Sequence, residues 1–438
     1  MKKITCVFIV LFVMLALASC GGNDSQQIES ESSSATMTET VEKVPETNDA
    51  LYEFFIRKWI AGETEALYSY AAESVESLMD SDNFVYMLDS VTKLGGKFDS
   101  VKKTGVTAQN GCDVYSFTAE FENISADVIL TLKDAQIEGF SRNVRIKEGD
   151  GFTLDLGGGV KEHYFILEND GYALNAVYTY AEGNKEAPAV LLIPGSGPSD
   201  YNSTVGLLTP FADIAEGLAQ NGINSLRIDK RTFNYADSFD VKDAVAEEYY
   251  SDFTAAAEYL KEKHDKVYLL GHSLGGQIAS ELAARDSEFD GVILWNSTAR
   301  HLADVASDQL SASDSANRAV YESYADTAKK VTADSAKGFY YFGASDYYYA
   351  EYNEIDVLDN VKTMTSPVLI INSRGDSQVF DADISLWNEV ADKAKIMLLD
   401  GYSHFGYVID MTDPTALYEI HEFPEELMTA FLEFCLQN

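Results

Sequence analysis

From residue 189 onward, one pattern recurs: a run of four or five residues that is apolar or, at Ser225–Ile228, apolar at alternate positions, then in most cases a longer stretch with helical spacing. The apolar runs are Ala189–Ile193, Ser225–Ile228, Val267–Leu270, Gly291–Trp295, Val368–Ile371 and Ile396–Leu399. Runs this short that are apolar on both sides belong to strands covered on both faces. Alternation with helical segments then calls for a mainly parallel sheet with helices packed on each face, led in by a strand-rich segment that follows Gly149-Asp150-Gly151. Residues from about 300 to 359 interrupt the pattern. They are too many for one crossover helix and are expected to form an insertion lying over the sheet edge as a lid.

The third run leads directly into Gly271-His272-Ser273-Leu274-Gly275, and a helix-like stretch, Gln277 to Arg285, follows. A serine between two glycines on a sharp strand-to-helix turn projects its hydroxyl above the sheet, so Ser273 is the candidate nucleophile. A hydroxyl is a weak nucleophile without a base to take its proton, and the chain has six histidines. His163 lies in the lead strands, His264 in a charged helix end, His272 within the turn, His301 in the insertion and His421 in a charged C-terminal segment. His404 follows the last apolar run in Asp400-Gly401-Tyr402-Ser403-His404-Phe405-Gly406 and is the candidate base. The acid that orients such a base falls between nucleophile and histidine in this chain order. Asp376, in the polar loop after Val368–Ile371, fits that place better than Asp381 or Asp383, which lie toward the next helix.

Acyl transfer also needs two amide donors for the developing oxyanion. The amide of Leu274, just after the nucleophile, is one. Pro194-Gly195-Ser196-Gly197-Pro198-Ser199-Asp200 follows the first apolar run, and its small residues allow close approach, so the Ser196 amide is taken as the second. This loop is not a dinucleotide fingerprint, because the third glycine is missing and Pro198 follows Gly197. No metal-ligand spacing and no cofactor motif occurs in the sequence. The insertion carries Gly338-Phe339-Tyr340-Tyr341-Phe342-Gly343 and Tyr347-Tyr348-Tyr349, aromatic runs suited either to gripping a substrate or to ordinary packing.

With these residues in place, positions from about 150 to 438 resemble the α/β-hydrolase family, and the Gly-Ser-Gly-Pro-Ser-Asp loop resembles that of its bacterial esterase branch, whose relatives include serine-aminopeptidase-like members. The resemblance implies an α/β-hydrolase fold, a Ser273–His404–Asp376 triad and an oxyanion hole from Ser196 and Leu274. The chain departs from the branch in two places. It reads Asp229-Lys230-Arg231-Thr232 where Asp-x-Arg-Gly is common, and Tyr201 stands where an Arg often follows the proline.

The 438 residues leave room for a second unit. Residues 49–145 read as a small α+β domain: Leu51, Phe54, Phe55, Trp59 and Ile60 share a helical face, and 113–121 and 126–132 read as half-buried strands. The domain resembles a small domain of unknown function often fused ahead of secreted bacterial hydrolases. Ahead of it, Lys2 and Lys3 precede an apolar run too short to span a bilayer, and residues 1–19 read as a signal peptide. The signal ends in Leu17-Ala18-Ser19-Cys20, which resembles a bacterial lipobox and implies acylation of Cys20. Residues 20–48, rich in Ser, Glu, Gln and Thr, are expected to be a disordered tether to the membrane. Cys112 and Cys435 remain and are expected as free, buried thiols.

A net charge of −39 argues against a nucleic-acid partner. The expected activity is hydrolysis of a carboxylic ester with a small-molecule acyl substrate, on an enzyme anchored outside the cytoplasm. A peptidase or acyltransferase using the same residues, or a surface binding protein, remains open at this point.

Overall fold

The computed structural model describes residues 44–183, 187–235 and 245–437. The signal segment, Cys20 and most of the expected tether lie outside the described residues. Among the described residues, no helix is long and apolar enough to cross a membrane. They form two compact units that divide close to residue 145.

The first unit carries helices α1 (Asn48–Ile60), α2 (Glu65–Tyr68), α3 (Glu73–Glu76) and α4 (Ser81–Gly95). They are followed by an antiparallel sheet of β1 (Phe98–Gln109), β2 (Cys112–Phe121), β3 (Ile124–Lys133) and β4 (Gln136–Ile146) in sequential order. Along β2 and β3, buried residues alternate with more exposed ones, as expected of a sheet with one covered face. Leu51, Phe54, Phe55 and Trp59 of α1 are buried, and the Trp59 ring meets those of Phe117, Phe121 and Phe140 at centroid distances of 6.2, 5.9 and 6.0 Å. Ile60, expected on the same face, is half-buried at the helix end. Cys112 is only partly buried, because it opens β2 at the hairpin, whereas Cys435 is buried; both are free thiols.

The second unit is built on one sheet of nine strands. Three strands form an antiparallel edge: β5 (Phe152–Gly157), β6 (Val160–Asn169) and β7 (Tyr172–Ala181). Next in the chain come β8 (Ala189–Ile193), helix α5 (Pro210–Gln220), β9 (Asn224–Ile228), and the short helices α6 (Arg231–Asn234) and α7 (Asp252–Lys261). Then follow β10 (Val267–His272), α8 (Leu274–Arg285) and β11 (Gly291–Trp295). The insertion folds as α9 (Leu302–Ser313), α10 (Arg318–Ala328), a hairpin of β12 (Tyr340–Tyr341) and β13 (Ala344–Ser345), α11 (Asp346–Tyr352) and α12 (Val357–Thr363). The chain closes with β14 (Val368–Arg374), α13 (Asp381–Leu386), β15 (Ala394–Asp400) and α14 (Glu425–Gln437). The spatial order is β15-β14-β11-β10-β8-β9-β7-β6-β5, and the six strands from β15 to β9 run parallel.

Strand periodicity divides the core between the two faces. Leu191, Leu269, Leu294 and Ile370 belong to the cluster that meets α7, α8 and the insertion. Their neighbours Leu192, Leu270, Ile293 and Leu369 belong to the cluster under α5 and α14. All eight are fully buried, and burial of each contributes roughly 1.5–3 kcal/mol. Because these strands are parallel, the segments leaving β8, β9, β10, β11, β14 and β15 all emerge at one edge of the sheet.

Candidate active site

Ser273 lies between the end of β10 and the start of α8 with φ 55° and ψ −124°, a strained conformation for a residue with a side chain. Two close approaches force the turn. A Cβ at Gly275 would overlap the backbone oxygens of Ile193 and Pro194, and one at Gly271 would overlap Gly275 itself. The Ser273 amide is held by Trp295 O at 2.9 Å. Its side chain is half-buried while its neighbours in the turn are buried. Leu274 is the first residue of α8, so its amide belongs to the unpaired donors at a helix N-terminus, where the helix dipole favours negative charge.

His404 and Asp376 come together from the loops after β15 and β14. Nδ1 of His404 lies 2.7 Å from Asp376 Oδ2, and both residues are buried. The other carboxylate oxygen accepts the amides of Gln378 at 2.7 Å and Val379 at 3.2 Å. With Nδ1–H donating to the carboxylate, Nε2 of a neutral His404 is left as the acceptor, the form a general base requires. Asp383 is engaged elsewhere: fully buried, it accepts from Thr298 Oγ1 at 2.8 Å, Arg300 at 3.3 Å and the Phe380 amide at 2.8 Å.

Two residues not singled out by the sequence hold the His404 loop. His272 lies with its ring against that of His404, tilted by 51° with centroids 4.6 Å apart, and donates from Nε2 to His404 O at 2.8 Å. Burial, reinforced by the neighbouring His404, holds its ring well below the ordinary histidine value, so it is neutral. Asn296 directly follows β11 and has a positive φ of 43°. Its Nδ2 donates to His404 O at 2.9 Å and Ser403 O at 3.3 Å, while Oδ1 accepts the Ser373 amide at 2.9 Å. One side chain thus ties the end of β14, ahead of the Asp376 loop, to the loop bearing His404.

Ser196 lies exposed in the loop after β8, beside Ser273: a Cβ added to Gly195 would stand 3.1 Å from Ser273 Cβ. Behind this loop Asp229, Lys230 and Arg231 are all buried. Asp229 accepts the Tyr201 amide at 2.7 Å as well as Asn175 and Asn234, and burial pushes its carboxyl well above the usual range. Lys230 donates to Gly197 O at 2.7 Å and sits 2.8 Å from both Tyr249 Oη and Glu248 Oε1. Burial lowers its ammonium from the ordinary lysine value, opposed by Glu248. Arg231 pairs with Asp252. In the insertion, Tyr349 and Tyr352 are buried and Phe339 and Tyr340 are exposed; Tyr352 Oη donates to Gln277 Oε1 of α8. At least Tyr349 and Tyr352 therefore serve packing.

Residues 207–336, which include Ser273, match the family described as serine aminopeptidase, S33. Among solved structures, the chain is similar to Est1E from Butyrivibrio proteoclasticus, at 19% identity and TM-score 0.43 over 63% of this chain and 98% of that one. It is also similar to a proline iminopeptidase of Mycobacterium smegmatis, at 16% identity and TM-score 0.43 over 63% and 98%. Esterase EstD of Thermotoga maritima is 32% identical over 303 residues, which cover 67% of this chain and 72% of that protein. On that match, the chain belongs to the α/β-hydrolase family, as a hydrolase of its esterase branch.

Proposed function

We propose that the protein hydrolyses a carboxylic ester through an acyl-enzyme intermediate, with Ser273 as nucleophile, His404 as base and Asp376 as the acid that orients it. The observation that carries this reading is the buried 2.7 Å contact between His404 Nδ1 and Asp376 Oδ2, beside a serine held on a strained strand-to-helix turn. His404 Nε2 takes the Ser273 proton as Oγ bonds to the ester carbonyl carbon. The carbonyl oxygen becomes an oxyanion and accepts the amides of Ser196 and Leu274. Collapse of the adduct breaks the bond to the alkoxide, which leaves with the proton from His404. Water then attacks the acyl-enzyme by the same sequence, releasing the acid and restoring Ser273.

A fluorophosphonate should label the wild-type protein and not Ser273→Ala, and the same substitution should abolish turnover of p-nitrophenyl esters without loss of thermal stability. Turnover by Ser273→Ala near the wild-type rate would refute the assignment. Faster turnover of aminoacyl-nitroanilides than of esters would move the activity to the peptidase reading.

We also propose that residues 1–19 are removed as a signal peptide, that Cys20 is acylated, and that residues 20–48 tether the enzyme outside the cytoplasm. The support is Lys2-Lys3, the apolar run and Leu17-Ala18-Ser19-Cys20. Each methylene buried in the bilayer contributes about 0.8 kcal/mol, so two or more acyl chains give stable anchoring. In bacteria fed labelled palmitate, wild type should carry label in the membrane fraction and Cys20→Ala should not. An unlabelled wild-type protein found only in the medium would show a plain secretion signal.

A further inference from the structure

The buried charges behind the Ser196 loop have no part in the chemistry proposed above. Lys230 is 1% exposed, and its ammonium has three protons to place. One goes to Gly197 O at 2.7 Å, one to Tyr249 Oη at 2.8 Å and one to Glu248 Oε1 at 2.8 Å. Tyr249 in turn donates its hydroxyl proton to Gly195 O at 2.6 Å, an oxygen that also lies 3.3 Å from the Lys230 ammonium. The result is a directed chain from cation to phenol to backbone carbonyl. Glu248 and Tyr249 both come from one turn of π-helix, Ala246–Ser251, an irregularity that often sits at functional sites. Glu248 is also held by the Thr232 hydroxyl at 2.7 Å, so the threonine that replaces the branch's usual glycine has a partner here.

Gly195 O and the Ser196 N–H belong to the same peptide unit. In a planar trans peptide these two groups point in opposite directions. Gripping the oxygen on the side of Lys230 and Tyr249 therefore turns the Ser196 N–H away from them. The same peptide abuts the nucleophile, since a Cβ on Gly195 would stand 3.1 Å from Ser273 Cβ. A cationic donor chain on the carbonyl also draws electron density across the amide and makes its N–H a stronger donor, an effect enlarged where water is excluded.

We propose that Lys230, Glu248 and Tyr249 are positioning residues for the oxyanion hole, which orient and polarise the Ser196 amide through the carbonyl of its own peptide. This rests on the reading of Ser273 as nucleophile and Ser196 as an oxyanion donor. Stability alone does not call for the arrangement, because buried ion pairs are often replaced by apolar residues without loss. A role in the transition state makes a sharper demand: ground-state binding should be untouched, while binding of a tetrahedral adduct should suffer.

The experiment compares wild type, Lys230→Met, Tyr249→Phe and Ser273→Ala on a p-nitrophenyl ester, together with inhibition by a boronic acid whose tetrahedral adduct places a hydroxyl in the oxyanion hole. Lys230→Met should lower kcat roughly 10- to 100-fold, less than the loss of an oxyanion donor itself, with KM within about twofold. Tyr249→Phe, which removes one hydroxyl and is the safer variant for folding, should lower kcat roughly tenfold. Across the variants, boronate affinity should fall in step with kcat while thermal midpoints do not track it. Folded variants with kcat and boronate affinity near wild type would overturn the proposal, as would a loss carried in KM with boronate affinity unmoved. An active Ser273→Ala would instead remove the reading of the site on which the proposal stands.

Discussion

The two sides of Ser273 are held by different kinds of side chain. The Ser196 loop rests on buried ionisable groups, Asp229, Lys230 and Glu248. The loops bearing Asp376 and His404 are tied instead by neutral amides and a neutral ring: Asn296, His272 and Asn372, whose Nδ2 donates to Ser297 O at 2.8 Å. The difference follows the charge each side has to accommodate. On the proposed mechanism negative charge develops beside Ser196, where a cation behind the peptide is favourable. Positive charge develops on His404, whose natural counter-charge is Asp376; a further fixed charge there would bias the base toward one protonation state. Neutral dipoles hold these loops in the interior without adding such a charge, and the Arg374–Asp400 pair that also links the ends of β14 and β15 lies exposed, where solvent screens it.

The largest break in the comparison is to remove the charge that faces His404. Asp376→Asn should lower kcat on the order of ten-thousandfold, because an amide donor facing Nδ1 favours the wrong tautomer of His404. Steady-state ester turnover checks it, and a comparable loss in Asp383→Asn with little in Asp376→Asn would reverse the choice of acid. Next is the neutral tie. Asn296→Ala removes the partner of the buried Ser373 amide and one of the two donors to the His404 carbonyl, leaving His272 as the other, and should cost about 2–4 kcal/mol in denaturant unfolding. A fall of roughly tenfold in kcat should accompany it, as the loops of acid and base lose their common support.

The smallest effect sharpens the comparison through pH. Because His272 is held below the ordinary value of 6.5, the unfolded chain binds a proton there that the folded protein does not. The unfolded state then carries more protons as pH falls through about 6.5, so stability drops with acidification, by at most about 1.4 kcal/mol per pH unit for this group. His272→Gln keeps a donor for His404 O without the titration. Its unfolding free energy should fall less between pH 7 and 5 than that of wild type, and equal slopes would show that the ring contributes nothing to the acid response.

The sheet was readable because strands buried on both faces carry few polar positions, β9 with its buried Arg227 being the exception, and each run corresponds to a strand: two match end to end and four extend one to three residues further. Val267–Leu270, for instance, becomes Val267–His272. Those extra residues are polar or small, which hides them from a search by hydrophobicity. Ser273, Asp376 and His404 stand in loops whose order and flanking strands can be read directly. Lys230 could not be found in that way: three consecutive charges, Asp229-Lys230-Arg231, ordinarily mark a solvated turn, and their partners Tyr249, Glu248 and Asp252 lie on a π-helical turn and the helix after it, which have no local signature. The signal that was present is chemical. The loop from Pro194 to Asp200 lies outside any helix or strand that would pair its carbonyls, and its two prolines have no N–H, so donors for its buried carbonyls must come from elsewhere. Asn296 and His272 were hidden for a related reason, since each acts on backbone oxygens more than a hundred residues away.

The strand order carries a consequence for how the molecule comes to life. The residues assigned to chemistry leave β8, β10, β14 and β15, so the site spans more than two hundred positions of chain and includes the last strand of the sheet. Parallel pairings over such separations are slow to form, since the entropy of closing long loops is lost before contacts reward it. A partly assembled chain with its helices and central strands in place still lacks a seated His404. Recovery of activity during refolding therefore reports docking of the final strand, and it should lag behind the return of secondary structure.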